Sequence, residues 1–91
     1  INISGLPGRS GCTWEEAPQL LEALAQLPPL ELVGVMGIAT QEPEAARLQM
    51  RRLKSLQGSL PECSMGMSDD YSIAIEEGST MLRLGRILFP R

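Results

Sequence analysis

The chain has 91 residues, a net charge of -3, no His, and one residue each of Trp, Tyr and Phe. That length holds one small domain at most, the scattered charges form no basic patch for nucleic acid, and so few aromatics leave little for base stacking. Without His, imidazole acid–base chemistry and His triads are absent and a zinc site is improbable; no apolar run is long enough to span a bilayer. The two cysteines, Cys12 and Cys63, are far apart in sequence. They read as free thiols of a reducing cytosol rather than as a disulfide, and with no basic-then-apolar leader the expected location is cytoplasmic. The opening Ile1-Asn2-Ile3 already has the alternation of a strand and does not begin with Met, so the expectation is a domain truncated at its N-terminus.

Residues 1–4 form the first expected strand, and Gly5, Pro7, Gly8, Ser10 and Gly11 mark a loop. Thr13-Trp14-Glu15-Glu16 fits a capping box. Trp14, Ala17, Leu20, Leu21, Leu24 and Leu27 then share one helical stripe, with Pro18 near its start and Pro28-Pro29 ending it. Residues 30–39 (LELVGVMGIA) are an apolar run suited to a strand buried on both faces, as in parallel sheets. A loop at 40–42 leads to Pro43, which suits a helical first turn. Ala46, Met50, Leu53 and Leu60, with Leu56 nearby, mark the inner face of that second helix. Arg47, Arg51, Arg52 and Lys54 mark its outer face, and Gly58 and Pro61 end it.

Residues 63–67 read as a short strand or strand end. Ser68 is placed to cap a helix over 69–77, stopped by Gly78. Residues 80–85 form the last strand and 87–89 a closing turn. The order β-α-β-α-β-α-β predicts four parallel strands joined by right-handed helical crossovers. Four βα steps are half of an eight-fold (β/α)8 TIM-type barrel; a small open sheet would want a charged edge that this chain lacks.

Two segments carry candidate chemistry. In the last strand Leu82 and Leu84 fall on one face, and Met81, Arg83 and Gly85 on the other. If the leucines meet the helices, Arg83 points inward, where a guanidinium needs a ligand or a carboxylate; the plainer alternative is that it reaches solvent at a strand end. Ser68, at the expected helix start, has the backbone N–H groups and dipole that favour a phosphate, although capping serines are common for structural reasons alone. Gly66 and Gly85 either let a backbone approach a ligand or serve a turn. The methionines at 36, 50, 65, 67 and 81 read as core filler. Glu15, Glu16, Glu76 and Glu77 read as solvated helix-surface groups. Cys12 has no His to activate it, and no GxxxxGK[ST] or GxGxxG motif is present.

Ser64-Met65-Gly66-Met67-Ser68-Asp69-Asp70, the spacer from Ala74 through Thr80, and Arg83-Leu84-Gly85 together resemble the C-terminal signature of the pyridoxal phosphate homeostasis proteins. Asn2-Ile3-Ser4-Gly5, Arg9-Ser10-Gly11 and Leu32-Val33-Gly34-Val35-Met36 are similar to earlier segments of the same family, in the same order. The resemblance implies a barrel related to the N-terminal domain of alanine racemase, with pyridoxal 5′-phosphate (PLP) as cofactor. It implies that Ser68 and the backbone N–H groups of Gly85 and Arg86 hold the phosphate. Arg83 would face the pyridine nitrogen, and Ser64 and Met65 would lie near the ring face. The whole chain, 1–91, would be the C-terminal half of that barrel. The family's Schiff-base lysine belongs to a segment before Ile1, and Lys54, among arginines on a helix's outer face, is no substitute. Arg86 stands where the family often has Thr or Ser, Pro90 where it often has Gly, and Arg9 where it often has Lys.

The implied function is PLP binding and intracellular PLP homeostasis by a non-catalytic carrier, monomeric at full length. The alternative is a PLP-dependent amino-acid racemase of the same fold, which needs a second catalytic residue, usually a Tyr from a C-terminal β-domain. Phe89-Pro90-Arg91 is expected to close the protein without such a domain, which favours the binding protein. No metal, nucleic acid or membrane partner is expected. The isolated half barrel is expected to self-associate through open sheet edges.

Overall fold

A computed structural model describes residues 11–27, 31–85 and 88. Its elements run α1 (Ala17–Ala25), β1 (Gly34–Met36), α2 (Pro43–Gln57), β2 (Glu62–Ser64) and α3 (Tyr71–Glu76). The expected first strand at 1–4, the double proline at 28–29, Arg86 and Pro90 lie outside the described residues.

The capping box forms ahead of α1. The Thr13 hydroxyl accepts from the Glu16 N–H at 3.2 Å, and the Glu16 carboxylate takes both the N–H and the hydroxyl of Thr13, at 3.1 and 3.0 Å. Those bonds hold the Glu16 carboxyl below its ordinary pKa. Residues 14–16 form a turn before the helix proper, which starts at Ala17 with Pro18 in its first turn, where a missing N–H costs nothing. Ala17 is buried, and Trp14 and Leu21 pack on the core, whereas Leu20 and Leu27 are exposed.

Helix α2 starts at Pro43 as the sequence indicates. Its cap is Glu42, whose carboxylate accepts from the Glu44 and Ala45 N–H groups at 3.3 and 2.7 Å. Gly58, at φ +55°, ends it. Ala46, Met50 and Leu53 are buried beneath it, and each long apolar side chain buried there contributes about 1.5–3 kcal/mol. Gln57 is buried on the inward side of α2; its amide N–H donates to the Leu60 carbonyl at 2.7 Å, while its Oε1 has no hydrogen-bond partner among the described residues.

Strands β1 and β2 pair in parallel, Gly34 with Glu62, Val35 with Cys63 and Met36 with Ser64. A third segment joins by one parallel bridge, Ser64 to Met81. It is laced on by Thr80 N–H to Cys63 O, Met65 N–H to Met81 O and Arg83 N–H to Gly66 O, at 2.9, 3.2 and 2.9 Å. Of the four expected strands, the one at 1–4 lies outside the described residues; the other three correspond to a two-stranded sheet and a bridged third segment. Two side-chain hydroxyls take over part of the ladder. Thr80 Oγ1 accepts the Cys63 N–H at 2.7 Å, and Ser79 Oγ sits 2.7 and 2.9 Å from the Met65 and Met81 carbonyls. Bonds spent on side chains are not available to a regular ladder.

The apolar run also differs from expectation. Only 34–36 is strand, and one face is covered: Val35 and Cys63 pack on α2 with Ala46, Met50, Leu53, Met65, Ala39 and Ala74. On the opposite face Met36 and Met81, flanking Ser64, are each 51% exposed. No helix among the described residues is long and apolar enough to cross a membrane.

Candidate functional site

The loops that follow β1, β2 and the third segment meet at one end of the sheet, the edge where parallel α/β folds place their ligand sites. Together they line a cleft of about 430 Å³ with Ile38–Gln41, Met67–Asp70, Arg83 and Gly85.

Gly66 starts the middle loop. Its φ is +105°, and an added Cβ would sit 2.6 Å from Ala74 Cβ and 2.7 Å from Leu82 Cδ2. Only glycine turns the chain there while the α3 and third-segment side chains stay packed. The Met67 N–H then donates to Asp70 Oδ1 at 2.8 Å, and the Asp70 N–H to the Met67 carbonyl at 3.2 Å. These two bonds close 67–70 into a turn, and α3 begins only at Tyr71 with Asp70 as its N-cap. The expectation that Ser68 caps the helix is corrected accordingly. Its hydroxyl instead accepts the Gly85 N–H at 3.2 Å, which joins two loops 17 residues apart.

Arg83 is half-buried on the face opposite Leu82, as the alternation requires, and Leu82 packs on the core. Its Nη2 donates to the Gly37 carbonyl at 3.2 Å, while the buried Nε has no hydrogen-bond partner among the described residues. The Gly37 N–H in turn donates to Ser64 O at 3.1 Å, so the β1 loop is held from both sides. Gly85 is exposed, and an added Cβ would meet nothing within 4 Å among the described residues.

The structure therefore brings Ser68, Arg83 and Gly85 to one cleft. Arg86 lies outside the described residues. Ser64 and Met65 are not in the lining: Met65 is fully buried in the core and Ser64 is nearly so at the end of β2. Ile38, Ala39, Thr40 and Gln41, read from sequence only as strand end and loop, form the third wall. The signal that points to them is topological, since every loop after a parallel strand arrives at the same edge.

Other candidates fall away from this edge. Cys12 and Cys63 are free thiols, and burial pushes the Cys63 thiol pKa up, so it is a poor nucleophile at neutral pH. Glu76 and Glu77, expected to be solvated, bind α2: Arg47 reaches Glu76 at 2.6 Å and Glu77 at 2.8 Å, and Arg51 reaches Glu77 at 3.0 Å. Arg52 stacks on Trp14, 4.3 Å from the ring centroid. No cluster of His, Cys, Asp and Glu suited to a metal ion occurs among the described residues.

The family model for the N-terminal domain of alanine racemase matches residues 1–90, and the chain belongs to that family, whose fold is the TIM barrel. Among curated relatives, proteins named pyridoxal phosphate homeostasis protein from Pseudomonas aeruginosa, Escherichia coli and Aquifex aeolicus are 45%, 38% and 35% identical to it. Each alignment covers 98% of this chain but only 41–43% of the relative, so the chain spans about two fifths of their length. A crystal structure of an unknown protein from Bifidobacterium adolescentis superposes with a TM-score of 0.88 at 30% identity, over 98% of this chain and 40% of that one.

Proposed function

We propose that this chain supplies the phosphate and ring-nitrogen walls of a pyridoxal 5′-phosphate site, in a protein that manages supply of the cofactor and does not turn over a substrate. The observation that carries the reading is the meeting of Ser68, Gly85 and a partly unsatisfied Arg83 in one cleft. The names of relatives at 35–45% identity support the cofactor and its homeostasis.

The residues present fit the group. An orphaned buried N–H on Arg83 suits a ring nitrogen, which offers one lone pair. The Ser68 hydroxyl and Gly85 N–H suit phosphate oxygens, and the open space beside Gly85 leaves room for them. When bound, PLP supplies a reactive aldehyde on an electron-withdrawing ring. Arg83 tunes that ring: a cationic donor facing the ring nitrogen disfavours its protonation and so weakens the ring as an electron sink. A non-catalytic carrier is compatible with that restraint. Asp69 and Asp70 also line the cleft, and the Met67 N–H already engages Asp70 Oδ1.

The test is equilibrium dialysis of PLP against the chain, and against the chain joined to the N-terminal portion of the Pseudomonas relative. Ser68→Ala and Arg83→Ala should each raise Kd by about tenfold or more, the worth of one hydrogen bond to a charged group. Unchanged affinity in both variants would remove the site assignment.

A further inference from the structure

Resting on that reading, we propose that the Thr40 hydroxyl is an additional ligand-binding group of the cleft, a hydrogen-bond partner for the bound PLP on the wall facing the Met67–Asp70 turn.

Thr40 lines the same cleft as Ser68, Arg83 and Gly85. Its Oγ1 is shielded from solvent and has no hydrogen-bond partner among the described residues. A hydroxyl in that condition has given up water and gained nothing, so a ligand atom that pairs with it recovers the whole cost. The backbone around it is fixed. The Thr40 N–H donates to Gln49 Oε1 of α2 at 2.9 Å, and three residues earlier Gly37 is bonded on both sides, by Ser64 and by Arg83. Rotation about χ1 then carries the hydroxyl between staggered positions without moving the loop. A polar group on a rigid platform at the edge of a ligand cleft is built for binding and does nothing for the fold.

The experiment measures two quantities on the same variants of the chain joined to the N-terminal portion of the Pseudomonas relative: Kd for PLP by equilibrium dialysis, and the urea midpoint without ligand. Thr40→Val replaces the hydroxyl with a methyl of the same shape; Thr40→Ser keeps the hydroxyl. A ligand-binding hydroxyl gives a Kd about tenfold higher for Thr40→Val, near-native affinity for Thr40→Ser, and a midpoint for Thr40→Val that is unchanged or higher. A lower midpoint for Thr40→Val identifies a structural hydrogen bond and overturns the proposal, as does an unchanged Kd with the joined parent protein binding normally. If the joined parent protein binds no PLP, the functional reading itself fails, and the role of Thr40 goes with it.

Discussion

Gly66→Ala tests the turn on which the cleft depends. Alanine at φ +105° costs at least the roughly 1–2 kcal/mol of a left-handed non-glycine residue. The new methyl also lands 2.6 and 2.7 Å from side-chain carbons of Ala74 and Leu82, an overpacking worth about 1–3 kcal/mol. Ala74 is fully buried and has no rotamer with which to yield, so both costs apply and sum to roughly 2–5 kcal/mol. A chain of 91 residues has a total stability of roughly 5–14 kcal/mol, so a large share is at stake. With an m-value of about 1 kcal/mol/M, the urea midpoint followed by far-UV circular dichroism should fall by about 2 M or more. A fall of less than about 0.5 M would show that the 66–70 turn is not held as described. PLP affinity should drop with it, because the same turn carries Ser68.

Three further outcomes follow from the packing. Glu77 has a pKa held below its ordinary value of 4.5, first by its hydrogen bonds from Arg51 and then by those from Arg47. Its stabilising effect is therefore fully present above that value and is lost as pH falls through the depressed folded pKa; urea midpoints from pH 7 to 3 should decline less steeply for Glu77→Gln. Arg52→Gln should cost about 0.5–1 kcal/mol and shift Trp14 fluorescence, which reports the stacked guanidinium directly. The bare sheet face should drive self-association: Met36→Lys with Met81→Glu should lower the mass seen by light scattering at high concentration, and an unaltered mass would count against that face.

Much of the fold can be read from local chemistry. Thr13 and Glu16 announce α1, Pro43 and Gly58 bracket α2, and alternation puts Leu82 and Arg83 on opposite faces. What local chemistry leaves out is set by partners distant in sequence. The run at 30–39 looks like a strand buried on both faces, yet only one face of β1 meets a helix. Ser68 has the composition of a cap, but Asp70 captures the Met67 N–H first and delays α3. Glu77 looks like a solvated surface residue until α2 presents two arginines to it. In the cleft, Ser68, Arg83 and Gly85 stand out by type and spacing. Thr40 does not, because an unpaired hydroxyl is a property of its surroundings.

The lacing of the third segment has a consequence for how occupancy and order are coupled. Residues 79–85 are held to β2 by a few backbone bonds and two side-chain hydroxyls, and at their far end Gly85 rests on Ser68. Such a segment can open locally well before the helices that pack on the core. A ligand held by both Ser68 and Gly85 binds only the closed form. At a hundred times Kd, it therefore lowers the open population by about 2.7 kcal/mol, a hundredfold. Amide exchange at Arg83 and Gly85 should slow in proportion to free PLP while exchange in α2 stays constant. Ligand occupancy would then be read out in the order of one short segment, with no second conformation required.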